Sequence, residues 1–332
     1  MNPASIPSIS LVIPSSNSLD SLRDLLDHLD GQAGAAPQIL IIDGRSSDGT
    51  IPFLQALRRE HTQWTSAPDD GIYDAINKGI AMATGDLVAV IGCDDRLPDA
   101  STLSTVASMA AAHPADLYAG GALLLHPDGR QERRADEPFG IGALASGIPF
   151  CHNALYVRRD AYTRVGPYDT SYRICADAHW VHRAIRAQLS CFRIDQALVH
   201  FGMDGTSSIN PDTVLAESYR TIMANFPGLD PSSARAVLEA ARGWGAPEPA
   251  LRAAAQFDDG GHLAAALRAA LTFRSHPYRL HGLEVPSSTL IEPPTAGQPL
   301  ATVSTDEAGP AASGWTLRLK SRVRHLVSAL RP

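Results

Sequence analysis

The chain has 332 residues, enough for one large domain with an appendage or for two domains. Its formal charge of −7 excludes the basic surplus of a general nucleic-acid binder, and its 44% hydrophobic content supports an ordinary buried core. The four cysteines, Cys93, Cys151, Cys175 and Cys191, contain no C-x-x-C pair, which argues against a zinc site and for reduced, buried thiols.

Residues 1–10 lack the basic and apolar regions of a secretory signal, and no uninterrupted apolar stretch reaches the roughly 18 residues that span a bilayer. A cytoplasmic location is expected. Residues 8–13 read as a strand closed by Pro14, after which Leu19, Leu22, Leu25, Leu26 and Leu29 recur at helical spacing. A second apolar strand, 38–42, runs into Asp43-Gly44, and residues 46–50 offer N-caps for a helix to about residue 60. A short strand near Trp64, a helix over 73–83 and an apolar strand over 87–93 follow. Alternation of strand and helix with short links predicts an α/β, mostly parallel sheet with helices on both faces. Beyond residue 116 the pattern is mixed: a hairpin turns at 126–129, short strands fall near 153–157 and 191–201, and a helix covers 177–188.

Alanine and leucine dominate from 231 to 273, interrupted at 243–245 and 258–261, which predicts two or three short helices. Residues 285–314 are rich in Pro, Ser, Thr, Ala and Gly and read as a linker. Over 315–332, Trp315, Leu319, Val323, Leu326, Val327 and Leu330 share one helical face and five cations stand without an acid. That basic amphipathic helix either docks on its own domain or meets an anionic membrane surface. The resulting division is 1–225 for the main α/β domain, 226–284 for a helical extension, 285–314 for the linker and 315–332 for the basic helix.

Asp94 and Asp95 end the apolar run 87–93. Two like charges there repel unless a cation or donor lies between them, and the carboxyl ends of parallel strands are where ligands bind. Asp43 and Asp69-Asp70 also follow strand-like runs and could converge on the same crevice. No Gly-x-Gly-x-x-Gly or phosphate-cradling Gly-x-x-x-x-Gly-Lys-Ser/Thr segment is present, which disfavours a dinucleotide dehydrogenase and a P-loop enzyme. A divalent metal holding a phosphorylated ligand fits these carboxylates. Asp48 reads better as a helix cap than as a ligand. His200 ends a strand-like run and is a candidate third metal ligand.

Several spaced segments resemble family 2 glycosyltransferases over about residues 8–210. They are Ser10-Leu11-Val12-Ile13-Pro14, Ile41-Ile42-Asp43-Gly44-Arg45-Ser46-Ser47-Asp48-Gly49-Thr50, and Asp69-Asp70-Gly71-Ile72-Tyr73-Asp74-Ala75-Ile76-Asn77-Lys78-Gly79-Ile80. Ala83-Thr84-Gly85-Asp86, the Asp94-Asp95 pair, Cys151-His152-Asn153-Ala154, Tyr168-Asp169-Thr170-Ser171-Tyr172 and Ala176-Asp177 follow in order. The resemblance implies a glycosyltransferase A fold, a Rossmann-like mostly parallel sheet, here with a C-terminal helical extension. It implies that Asp43 contacts the nucleotide base, with Pro14 and Ser15 beside it. Asp69 and Lys78 would line the donor pocket, Asp94 and Asp95 would bind donor and Mn²⁺ or Mg²⁺, and Asp177 would act as general base. His152 falls in the family's Cys-His segment, either touching the acceptor or packed structurally. His179 stands where relatives often carry a second Asp.

Residues 202–208 resemble a Gly-Gly-x-Ser-Ser loop and read as a flap over the donor or a surface turn. Ala67, Asp70 and Arg96 depart from the family pattern where relatives commonly carry Glu, Lys and Trp, which bears on donor and acceptor choice. The expectation is an inverting, metal-dependent transfer from a nucleoside diphosphate sugar, a UDP-sugar foremost, to a glycan or polyprenyl-linked acceptor in surface-polysaccharide assembly. The alternative is a catalytically silent nucleotide-sugar binder or scaffold protein, against which the four carboxylates Asp43, Asp94, Asp95 and Asp177 argue.

Overall fold

Alternating apolar side chains let the first strand serve two cores at once. In β1 (Ile9–Ser15), Leu11 and Ile13 face one side of the sheet and Val12 the other, all essentially buried. In this computed structural model the described residues are 6–126, 128–134, 136–203, 210–275 and 284–286. The expected linker beyond residue 286, the basic helix 315–332 and the core of the flap, 204–209, lie outside them.

The N-terminal half is a parallel β/α succession: α1 (Leu19–Asp30), β2 (Gln38–Asp43), α2 (Thr50–Ala56), β3 (Thr62–Ser66), α3 (Ile72–Met82), β4 (Leu87–Val90) and α4 (Thr102–Ala112). It continues through β5 (Leu117–Leu125), β6 (Gln131–Arg133), α5 (Ala143–Ser146), a 3₁₀ turn (His152–Ala154), β7 (Leu155–Arg158), α6 (Arg159–Val165), α7 (Ala176–Arg186) and β8 (Ser190–Gly202). Four helices follow, α8 (Pro211–Asn225), α9 (Pro231–Arg242), α10 (Pro247–Gln256) and α11 (His262–Ser275), then a short β9 (Glu284–Pro286). The sheet order is β3-β2-β1-β4-β7-β5-β8-β9, with β6 paired to β5. β3, β2, β1 and β4 run parallel, β7 is antiparallel to both β4 and β5, and β5 and β8 are parallel to each other. The mostly parallel α/β sheet with a C-terminal helical extension is thus present.

One apolar cluster joins Val12, Leu40, Ile42, Val88 and Val90 to α3, α7 and the helices from α8 onward. The other joins Leu11, Ile13, Ile39, Ile41, Leu87 and Ala89 to α1 and α4. All four cysteines are buried and unpaired, as their spacing implies.

Among the differences from the sequence reading, three bear on the frame of the site. β4 stops at Val90 rather than continuing to 93, because Gly92 turns the chain: its N–H donates to the Asp95 carboxylate and its carbonyl accepts from the Asp95 N–H. α2 ends at Ala56 rather than near 60. Leu57 is extended there, and His61, at φ 56°, lets its carbonyl accept from the Ile39 N–H and start β3. Helix α8 was not anticipated at all.

Gly79 lets α3 lie flush on the sheet. A Cβ there would overlap Val12 Cγ1 and come within 3.2 Å of Ile42 Cγ1. Gly79→Ala is therefore expected to destabilise the fold by about 1–3 kcal/mol through overpacking, although alanine is the better helix former by about 1 kcal/mol. Urea denaturation checks this; a stabilised variant would contradict the close approach.

Candidate active site

Strand register brings the first residues together. Ser15 lies opposite Asp43 across the β1–β2 pair, and the Gly44 N–H donates to the Ser15 carbonyl at 2.8 Å. The loops after β1 and β2 are then stitched by side chains. Asn17, at φ 47° in the left-handed region that asparagine tolerates, donates its N–H to Ser46 Oγ at 2.7 Å. Its side-chain oxygen accepts from the Ser47 N–H at 2.8 Å. Asp43 is 1% exposed and accepts from the Ser46 N–H (3.0 Å), Ser46 Oγ and Ser66 Oγ (2.6 Å). A carboxylate offers about four acceptor positions, so one remains, on Oδ1. The Pro14 carbonyl accepts from Cys93 Sγ at 3.5 Å, which ties the end of β1 to the turn after β4. Asp48 accepts from Thr50 and from the Leu19 N–H, so it ties the starts of α1 and α2 together as a cap.

Asp69 reaches the same edge. A Cβ on Gly44 would meet Asp69 Oδ2 at 2.5 Å, so glycine there admits the carboxylate beside Asp43. Lys78 pairs with Asp74 at 2.7 Å and donates to the Pro68 carbonyl at 3.1 Å. It braces the turn bearing Asp69 and Asp70, and the pairing with Asp74 raises its pKa.

Asp94 is exposed and Asp95 is 1% exposed, so the adjacent carboxylates meet different surroundings. Asp95 Oδ2 accepts from the Gly92 N–H at 2.7 Å and from the Asn153 side-chain amide. Asp95 Oδ1 is buried and has no hydrogen-bond partner. Burial pushes the Asp95 pKa up to about 7, against the Asn153 hydrogen bond and with the help of the Asp94 charge. Gly92 underlies both: a Cβ there would sit 2.7 Å from Asp94 Oδ1 and 3.0 Å from Asp95 Oδ2. An orphaned carboxylate oxygen beside an exposed second carboxylate fits a hard divalent cation that takes its remaining oxygens from phosphate and water. Arg96 curls onto the same loop, donating to the carbonyls of Cys93 (3.0 Å) and Asp95 (2.6 Å).

His200 comes to this loop by its backbone, which bridges Arg96 in both directions at 2.7 and 3.1 Å. Its ring is partly buried, which lowers its pKa, and the nearby His28 lowers it further. Among the described residues no three His, Cys, Asp or Glu side chains gather as an ion site, so His200 does not join Asp94 and Asp95 there.

Asp177 stands in the first turn of α7. Its Oδ1 accepts from the Ala178 N–H (2.8 Å) and lies 3.2 Å from the Tyr73 hydroxyl, whose single proton is shared with the Ile174 carbonyl, while Oδ2 makes no hydrogen bond among the described residues. Burial raises its pKa, and nearby His152 opposes the shift. His152 Nε2 lies 2.8 Å from the Tyr168 hydroxyl, and burial lowers its pKa against the pull of the Asp177 charge. Tyr168 stacks on Tyr73, ring centres 5.6 Å apart. His179 faces elsewhere, stacked on Tyr172 at 4.9 Å with its Nδ1 unpartnered.

Sequence reasoning missed two residues that organise this site, Tyr73 and Asn153. Both sit inside motif segments but look like ordinary helix and strand-entry residues. Asn153 and its neighbour His152 reach the two carboxylate centres from a single turn: Asn153 bonds Asp95, and His152 lies beside Asp177. Asn153→Ala is expected to raise the Asp95 pKa further and to destabilise the protein by about 1–3 kcal/mol. The loss should be larger at pH 8, where Asp95 is ionised, than at pH 5; equal thermal shifts at both would remove the amide's role.

Among the described residues no helix is long and apolar enough to cross a membrane. The sequence profile of glycosyl transferase family 2 matches residues 10–176. A PGL/p-HBAD biosynthesis glycosyltransferase of Mycobacterium tuberculosis (strain H37Ra) is 31% identical over 175 residues, 52% of this chain and 67% of that one. S. aureus TarS 1–349, solved in complex with UDP-GlcNAc, shares the fold with a TM-score of 0.53 at 14% identity, over 81% of this chain and 88% of that one. The chain spans 42% of a longer TarS chain. The profile covers the strand ends carrying Ser15, Asp43, Asp94 and Asp95, and the chain belongs to glycosyl transferase family 2, as a glycosyltransferase with a glycosyltransferase A-type sheet.

Proposed function

We propose that this glycosyltransferase moves a sugar from a UDP-sugar to a hydroxyl of a glycan or lipid-linked acceptor, with inversion and with a divalent cation. The observation that carries the reading is the unpartnered, buried Asp95 Oδ1 beside exposed Asp94, linked through Asn153-His152 to a half-buried carboxylate, Asp177. TarS, solved with UDP-GlcNAc, supports the choice of a uridine nucleotide. Asp43, through its remaining acceptor position, is the partner for a base N–H, with Pro14 and Ser15 alongside. Asp69 and Lys78 border the sugar side.

In the reaction an acceptor hydroxyl attacks the anomeric carbon as the bond to the diphosphate breaks. Asp177 Oδ2 takes the hydroxyl proton while the Ala178 N–H holds Oδ1, with the Tyr73 hydroxyl alongside. Raising the pKa of this base brings it closer to neutral pH, where proton transfer is more favourable. Asp94 and Asp95 would hold Mn²⁺ or Mg²⁺, which supplies positive charge for the diphosphate as it leaves. Attack opposite the leaving group inverts the anomeric centre. His152, hydrogen-bonded to Tyr168, orders the acceptor side.

A thermal-shift screen of UDP-, GDP- and dTDP-sugars with and without Mn²⁺ tests this. A UDP-sugar stabilising the protein only with Mn²⁺ is the expected result; stabilisation by none of the uridine nucleotides would overturn the donor reading.

A further inference from the structure

Glu217 carries a carboxylate that the proposed chemistry does not use. It lies on α8, outside the residues matched by the family profile, and is 9% exposed. Its Oε1 accepts from the Arg173 N–H at 2.7 Å, and its Oε2 accepts from the N–H groups of Ile174 and Cys175 at 2.9 and 2.8 Å. Three successive backbone N–H groups thus converge on one carboxylate, a nest filled from within the chain. One turn further along α8, Arg220 donates to the Ser171 carbonyl (2.9 Å) and hydroxyl (2.5 Å), and its guanidinium lies 3.9 Å from the Tyr172 ring centre. From the opposite side the Tyr73 hydroxyl donates to the Ile174 carbonyl as well as facing Asp177. The stretch 171–175, which delivers Asp177 two residues later, is therefore gripped from both flanks.

A short polar N-cap would satisfy the start of α7 at lower cost than a buried carboxylate. A carboxylate contacting three consecutive N–H groups instead fixes the path of the chain. We infer that Glu217, with Arg220, is a positioning residue for Asp177: α8 acts as a strut that sets where the base carboxylate stands. This rests on the reading of Asp177 as base. The titratable groups facing Asp177 are Tyr73 from α3, His152 from the 3₁₀ turn, Tyr168, and Cys175 on the gripped stretch, behind which Glu217 stands. Loosening the stretch would admit water to Asp177 and lower its raised pKa.

The test uses the full chain with ¹³C-labelled aspartate, Asp177→Asn assigning the resonance. Glu217→Gln keeps the shape but turns an N–H donor toward a backbone N–H. It is expected to speed amide exchange at 173–175 by about 10–10²-fold, the loss of charged hydrogen bonds, and to move the Asp177 carboxyl titration to lower pH. UDP affinity with Mn²⁺ should stay unchanged. On the fastest nucleotide sugar of a panel, UDP release should fall by up to about 10²-fold, the effect of a small misplacement. Arg220→Ala, on the more exposed side, should move the same readouts in the same direction by less, and decides the question should Glu217→Gln fail to fold. An Asp177 titration and rate identical to the unmodified protein's would overturn the inference. Failure of the base reading looks different: Asp177→Asn would turn over normally while Glu217→Gln still moved the Asp177 titration.

Discussion

Asp177→Asn is expected to cut turnover by at least about 10²-fold, the usual worth of a positioned general base, while leaving UDP–Mn²⁺ affinity unchanged. Asparagine keeps an oxygen for the Tyr73 hydroxyl and the Ala178 N–H, so the first turn of α7 stays in place. What changes is Oδ2, replaced by an amide that cannot accept the acceptor's proton. The pH profile gives a second reading. Activity requires ionised Asp177, so the rate should rise with pH through a midpoint above the ordinary carboxylate value, because burial raises it. That limb should disappear in the variant. Burial of the charge also costs stability at neutral pH, so the variant should melt no lower than the parent at pH 7. Parent-like turnover with folded protein would remove Asp177 as the base.

Asp95→Asn should abolish the Mn²⁺ dependence of nucleotide binding and leave a donor-binding defect that added metal does not repair. Its pH signature is specific. A carboxyl whose folded-state pKa lies above its unfolded value binds its proton more tightly in the fold, so metal-free stability falls as pH rises from about 4 to about 7. With the folded value at about 7, the penalty approaches roughly 4 kcal/mol at full ionisation. Asp95→Asn should flatten that part of the stability curve and be at least as stable as the parent at pH 8. Metal needs the ionised form, so Mn²⁺ affinity in the parent should drop about tenfold per pH unit below about 7 and level off above it. Isothermal titration across pH 5.5–8.5 measures both; a pH-independent affinity, or Mn²⁺ dependence kept in the variant, would remove Asp95 as a ligand.

What could be read from the chain was set by locality. The strands around Ile13, Ile41 and Val90 announce themselves as apolar runs ending in Asp or Pro, and their alternation with helices implies a parallel sheet whose ends align. That reasoning put Asp43, Asp69-Asp70 and Asp94-Asp95 on one edge, while Ser15 entered only through the family resemblance. It failed where a role depends on a distant partner. Asn153 meets Asp95 across 58 positions, and Glu217 meets Cys175 across 42. A glutamate among Val214, Leu215, Tyr219, Ile222 and Met223 reads as a solvated helix position, although Asn210-Pro211 was a usable helix start. His200 shows the reverse error: a histidine at a strand end looks like a ligand, yet here its backbone, not its ring, makes the contact with the acidic loop.

The position of β7 has a consequence for how the protein is made. Residues 155–158 form the antiparallel rung between β4 and β5, so the half-sheet β3-β2-β1-β4 emerges from the ribosome with an unsatisfied edge and waits more than sixty residues for its cover. Asn153 enters just ahead of that rung and Glu217 later still. The nascent chain therefore carries its acidic loop early, beside an open β-edge prone to pairing with other chains, before Asn153, the partner of Asp95, has been made. Slow translation or truncation between residues 90 and 158 should expose that edge longest, making this window the most aggregation-sensitive stretch of the protein's biogenesis.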